Sequence, residues 1–300
     1  MDINQLITLV INVLVCLLFV VPVRYALAKH IGVDAKSELD TQDNFAFGVS
    51  IAGGVIGLVF MLTGVMSGDP LDSYFGEITS LLMYGILGSL LLIVGVLIQD
   101  KIVIRDINLA EEIKKGNLSA AIVVAVNMAM VGLVAKKTLT WIDSEGAAGL
   151  FPVLVVFVAS QVLLAGVAIL RMNIYKKRNQ ANAGRGIKAA VSWQGAIKDG
   201  NVAIALRYAG QLIATGIAIA ATSLLVDSED LTLFGSLMSW LFYSFGLAII
   251  IWLAYRIFLP LVLFKVDVTQ EVDHQQNIGV AAVESALFIS IAFMVLAYVI

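Results

Sequence analysis

Two ionisable side chains, Arg207 and Glu284, lie inside long apolar stretches of the sequence and are its first candidates for chemistry. A charge held at hydrocarbon depth is costly, so such residues mark ion paths, proton relays or ligand sites unless they simply reach back to the interface. Each follows an asparagine, Asn201 or Asn277, which places both roughly 9 to 11 Å along their helices at 1.5 Å per residue. If those helices pack side by side, a buried pair is feasible. It would serve as an ion or proton site, or as a docking point for a charged lipid. The plainer alternatives are an Arg207 that snorkels to the nearby boundary and a Glu284 that is protonated or locally hydrogen-bonded.

Three amides are the next candidates. Asn127 and Gln211 occupy one equivalent position in two helices, and Gln161 falls in the middle of a third apolar stretch. Amides at such places hydrogen-bond across helices. A polar conduction path lined by them is the other reading, although no acidic ring or filter-like sequence accompanies them.

Enzymatic signatures are missing from the sequence. His30 and His274 are single residues in separate linkers, and Cys16 is the sole cysteine, so no metal-ligand spacing appears. There is no HExxH, phosphate-binding loop or nucleophile elbow. No catalytic residue, metal or cofactor is expected. Asp267, Glu271 and Asp273 form an acidic cluster that reads as a solvated linker.

The elements that must position these residues follow from composition. The chain of 300 residues is 60% hydrophobic and 14% charged, with a mean hydropathy of +0.96. A soluble domain carries about 25% charged residues. The apolar residues fall in blocks of about twenty, the length a helix needs to cross a hydrocarbon core of about 30 Å. Eight blocks run near Leu6–Ala28, Phe45–Met66, Phe75–Ile98, Leu118–Ala135, Gly149–Leu170, Val202–Val226, Leu233–Phe258 and Ile278–Ile300. A net charge of -3 gives no basic character that would suggest nucleic acid.

Links between blocks alternate in kind. Short acidic ones, at 67–72 and 227–230, alternate with longer ones rich in both signs, which hold Lys101, Arg105, Lys114, Lys115 and Lys176-Lys177-Arg178. The positive-inside rule makes the longer links cytoplasmic and leaves both termini outside. No lysine or arginine precedes the first block, so it reads as an uncleaved helix despite its small-residue end at Ala26-Leu27-Ala28. Tyr25, Tyr175 and Tyr255 then fall at the inner interface, as an aromatic belt requires. The stretch around Trp193, from Gly186 to Lys198, reads as a short helix on the inner membrane surface or a partly ordered loop.

One pattern opens every even-numbered helix: Asp43-Asn44-Phe45-Ala46-Phe47-Gly48, Gly116-Asn117-Leu118-Ser119-Ala120-Ala121, Gly200-Asn201-Val202-Ala203-Ile204-Ala205 and Gln276-Asn277-Ile278-Gly279-Val280-Ala281. Asn44, Asn117, Asn201 and Asn277 are expected helix N-caps, because an asparagine oxygen accepts from the unpaired N–H groups of a first turn. Small residues continue at Ala52, Ala125, Ala209 and Ser285, giving each even helix an edge along which another backbone can approach. The expected fold is an all-α polytopic bundle of eight transmembrane helices from four parallel two-helix repeats, near 1–66, 75–136, 149–226 and 233–300. Two four-helix domains, 1–180 and 181–300, would divide in the long linker.

These openings and helix pairs resemble the bacterial inner-membrane family called domain of unknown function 350, or YjfL-like. Its members look like one four-helix domain and this chain looks like two in tandem. The clearest matches are Lys115-Gly116-Asn117-Leu118-Ser119-Ala120-Ala121 and Asp199-Gly200-Asn201-Val202-Ala203-Ile204-Ala205. The first and fourth openings depart, with Asp43 and Gln276 in place of glycine. The resemblance implies a bacterial cytoplasmic-membrane protein without established enzymatic activity, and it supplies no catalytic residue.

The leading expectation is therefore a non-enzymatic inner-membrane scaffold whose cytoplasmic linkers meet a protein partner or anionic lipid. The alternative is a channel or transporter with a polar site at the repeat interface. Homo-oligomerisation is left open, because small-residue edges serve internal packing and self-association equally well.

Overall fold

The structure is a computed structural model and describes residues 3–67, 73–141, 150–183, 192–226 and 233–299. The acidic links at 68–72 and 227–230 and the linker stretch 184–191 lie outside the described residues, as does residue 300. Among the described residues ten α-helices follow one another: α1 (Ile3–Ile31), α2 (Phe45–Met66), α3 (Tyr74–Ile98), α4 (Leu109–Lys114), α5 (Leu118–Trp141), α6 (Leu150–Ala183), α7 (Trp193–Lys198), α8 (Val202–Thr222), α9 (Leu233–Val262) and α10 (Ile278–Val299). Eight are long and apolar enough to cross a membrane, all but the short α4 and α7. No strand occurs among the described residues.

The inner layer is a row of the helices that carry the repeated opening, with α2 against α5, α5 against α8 and α8 against α10. Small residues make that closeness possible. A Cβ on Gly53 would collide with the backbone of Ala125, one on Gly132 with the carbonyl of Gly57, and one on Gly210 with Ser285. The other long helices cover the row: α1 and α3 flank α2, α6 lies on α5 and α8, and α9 lies on α8 and α10. Burial follows from this order. Most of α8 is enclosed, whereas α9 keeps most of its apolar surface outward, as a lipid-facing helix does.

All four caps form. The side-chain oxygen of Asn44 accepts from the Phe47 N–H at 3.0 Å, that of Asn117 from Ser119 at 3.0 Å, that of Asn201 from Ile204 at 3.1 Å and that of Asn277 from Val280 at 3.1 Å. The residue before each cap has a left-handed backbone: Asp43 at φ 47°, Gly116 at 82°, Gly200 at 78° and Gln276 at 55°. The first and fourth openings therefore depart from the glycine pattern in residue type and keep its conformation. Each of these two is preceded by a π-helical turn, Ser37–Thr41 or Gln270–His274, where the second and third repeats have α4 and α7. Both π turns carry the same Glu-x-Asp, as Glu38-Leu39-Asp40 and Glu271-Val272-Asp273.

The amide nitrogen of a cap reaches forward to the next repeat. Asn44 donates to the Ile113 carbonyl at 3.1 Å, Asn117 to the Ile197 carbonyl at 2.9 Å and Asn201 to the Val272 carbonyl at 3.5 Å. Each acceptor sits in the turn just before the following cap, so these bonds tie adjacent repeats together at one end of the bundle, the cap end.

The stretch around Trp193 forms a short helix, α7, packed against the bundle with Trp193 and Ile197 buried. The Trp193 ring packs on Tyr208 of α8 with centroids 5.0 Å apart. Ser192 caps this helix by accepting from the Gly195 N–H at 3.0 Å.

Candidate functional site

The site lies where the third and fourth repeats meet, within two turns of their caps. Side by side, α8 and α10 bring Arg207 and Glu284 into contact, with Arg207 Nε donating to Glu284 Oε2 at 2.6 Å. The remaining guanidinium donors are also used. Arg207 Nη1 donates to Asp273 in the π turn, and Nη2 to the Val268 carbonyl at 3.0 Å. Glu284 accepts a second bond from the hydroxyl of Tyr255 on α9. Asp273, fully enclosed, also faces Arg178 at the end of α6, with Nη2 to Oδ2 at 3.1 Å. One arginine is thus held by two carboxylates drawn from different segments, the arrangement that lets charge persist away from water.

Asp273 and Tyr255 correct the sequence reading. The acidic cluster is not wholly a solvated linker: Asp267 is exposed and Glu271 half-buried, but Asp273 is buried as an ion-pair partner. Tyr255 is not a belt residue; it is buried and stacks on Phe288 with centroids 3.7 Å apart. Arg178, within the basic cluster Lys176-Lys177-Arg178, turns inward while the two lysines stay exposed.

A cavity of about 130 Å³ adjoins this network. Arg171, Arg178, Arg207 and Arg256 line it against only two carboxylates, Asp273 and Glu284. Arg171 is the residue the sequence reading passed over. It projects from α6 with its guanidinium 5.5 Å from the Phe288 ring. Its buried Nε has no hydrogen-bond partner among the described residues. On the rim, Trp252 and Arg256 of α9 are exposed, so the cavity opens sideways past α9, a helix whose surface faces outward. Away from the cap end it closes on a buried apolar cluster that includes Ala214, Ile217, Ile251, Phe288 and Ile291.

Of the three amides, Gln211 lines this cavity. The other two lie elsewhere, both near Gly95 of α3. Asn127 donates to the Gly95 carbonyl at 3.4 Å, and the Gln161 oxygen approaches the α-carbon region of the same glycine. The amides are therefore divided between two places and form no shared line. Among the described residues no group of His, Cys, Asp and Glu is arranged to hold a metal ion.

This architecture defines a multi-pass helical membrane protein assembled from four related helix pairs. The sequence profile of the Domain of Unknown Function (DUF350) matches residues 1–139, 73–192 and 146–299, and the chain belongs to that family. It is also similar to a UPF0719 transmembrane protein of Aquifex aeolicus (strain VF5), with 23% identity across 95% of this chain and 97% of the relative. No solved structure matches the chain.

Proposed function

We propose that the protein is a non-enzymatic membrane component that binds the phosphate-bearing headgroup of an anionic lipid at the junction of its third and fourth repeats. The observation that carries this reading is the charge balance of the cavity, four arginines facing two carboxylates, with the buried Nε of Arg171 unpartnered among the described residues. A buried N–H without an acceptor is unfavourable, and an entering anion would supply one. The lateral mouth bounded by Trp252 and Arg256 suits a ligand that arrives within the bilayer plane, since tryptophan and arginine both favour the headgroup level.

On this reading the cap end faces the cytoplasm of a bacterial inner membrane, where anionic lipid attracts basic side chains by about 1 kcal/mol each. The exposed Lys176 and Lys177 add to that attraction. The cavity also supports a second reading, a carrier with its polar site at this interface. The apolar closure beyond Phe288 and Ile291 favours binding over passage, because a conducted ion would have to cross it without ligands.

The test compares melting temperatures of the protein in nanodiscs of phosphatidylcholine and of phosphatidylglycerol. Stabilisation by the anionic lipid, lost in Arg171→Gln, is the expected result. Equal stabilisation of wild type and variant would remove this site from the reading. Flux of a small anion through proteoliposomes, abolished by Arg171→Gln, would replace binding with transport.

A further inference from the structure

Three consecutive junctions in one chain follow a single rule, and the two ends of the row carry its parts with no partner among the described residues. At each junction the cap amide of one repeat reaches the carbonyl before the next cap: Ile113, Ile197 and Val272 are the acceptors. The side chains of these three are at 1%, 0% and 0% exposure. The fourth residue at this position is Leu39, two residues into the first π turn as Val272 is in the last, and it is 41% exposed. Leu39 lies ahead of the helix cap, where exposure is to water as much as to lipid. At the other end, the Asn277 amide donates to Glu271 at 2.7 Å, as Asn44 does to Glu38, but makes no forward bond among the described residues.

The helix faces repeat this asymmetry. On the forward side, Gly53 of α2 meets Ala125, and Gly210 of α8 meets Ser285. Counted from the caps, both glycines are at the ninth residue and their partners at the eighth. On α10 the ninth residue is Ala286, followed one turn later by Ser290, and both are exposed. On α2 the eighth residue is Ala52, also exposed, although its equivalents Ala125, Ala209 and Ser285 belong to the packed row. Lipid-facing positions do not call for small side chains, whereas close helix approach does. Val126 of α5 stands at the same ninth position, so the row already accommodates a larger residue there.

We infer that the row continues between chains, with α10 of one copy packed head to tail against α2 of a second. The forward face of the fourth repeat then meets the receiving face of the first, Asn277 donates to the Leu39 carbonyl, and Leu39 becomes buried. An interface of this kind is heterologous, so it closes into a ring when its rotation permits. It does not depend on the lipid site, and each can fail without the other.

The test uses the full chain with Cys16→Ala, so that introduced cysteines are the only ones. In oxidised membranes, Ala52→Cys combined with Ala286→Cys is expected to give cross-linked dimers and larger multiples, and either substitution alone only monomers. Maleimide labelling beforehand establishes that both thiols react. Dimers from Ala286→Cys alone would mean symmetric α10 packing and overturn the inference, as would monomers from the double variant. Adding Ser290→Trp should lower the cross-linked fraction about tenfold, equivalent to roughly 1.4 kcal/mol, with the melting temperature of the single chain unchanged. An unchanged cross-linked fraction would place the contact elsewhere and likewise overturn it.

Discussion

The first and last junctions of the row share one backbone plan and solve the packing problem by opposite means. Between α2 and α5 the contact is dry, with glycines at Gly53, Gly57 and Gly132 letting the helices touch backbone to backbone. Between α8 and α10 one such glycine, Gly210, remains, and the turns nearest the caps hold Arg207, Glu284 and Asp273. The residues equivalent to Arg207 in the first and second repeats are Ser50 and Val123, counted from the caps. The same helix contact therefore forms at the first junction without a charge at this position. The presence of the charged network at one junction only separates what the repeat requires from what was added to it.

The largest effect should come from breaking the network on one side. Arg207→Ala takes the shared cation from Glu284 and Asp273, leaving them Tyr255 and Arg178, and a loss of about 3 kcal/mol, the low end for a broken buried pair, is expected. Replacing the set together, as Arg207→Met with Glu284→Leu and Asp273→Asn, should recover most of that stability, as apolar substitutes for buried ion networks do. Denaturant titration of both in one detergent checks the pair. Recovery would place the charges outside the requirements of folding; no recovery would make them part of it.

At the dry junction, Gly57→Ala drives a methyl into the Met128 carbonyl and should cost about 1–3 kcal/mol by overpacking. The same method reads it. A cost near zero would mean that α2 and α5 can separate freely, and the contrast between the junctions would weaken.

Eight spans, the capping asparagines and the small-residue edges were legible because each depends on residues close in sequence. The network was legible only in part. Arg207 and Glu284 stood out against apolar neighbours, but Asp273 reaches Arg207 across 66 residues and belongs to a segment whose composition is that of a loop. Tyr255 and Arg178 occupy helix ends where tyrosine and arginine ordinarily serve the interface. Only packing reveals that they turn inward. For Asp273 the signal available was its place in a Glu-x-Asp turn shared with Glu38-Leu39-Asp40.

A smaller effect separates the caps. Asn44→Ala removes the cap bond, the bond to Glu38 and the forward bond to Ile113, whereas Asn277→Ala removes the equivalent cap bond and Glu271 bond with no forward bond among the described residues. Both should cost about 1 kcal/mol, with Asn44→Ala the greater in isolated monomers. Equal costs in monomers would mean that the forward bonds contribute nothing.

The smallest effect is a pH dependence at the second repeat. Burial disfavours the charged form of Glu112, but hydrogen bonds from Lys115 and Asn117 outweigh it and hold the carboxyl below its ordinary value of 4.5. A depressed folded value means that the contribution is present above pH 4.5 and is lost as pH falls through the folded value. Glu112→Gln should therefore lower stability slightly at neutral pH and flatten the acid side of the profile, the two proteins converging at low pH in thermal melts taken across the acid range.

The forward direction of the cap bonds has a consequence for biogenesis. A ribosome delivers the repeats in order, so after each helix pair is inserted its asparagine amide waits for an acceptor that has yet to be synthesised. Arrival of the next pair satisfies the waiting group and presents a new one, which makes the order of translation the order of zippering. The fourth pair holds its amide on Glu271, and on the head-to-tail inference the forward acceptor it meets is made on another ribosome.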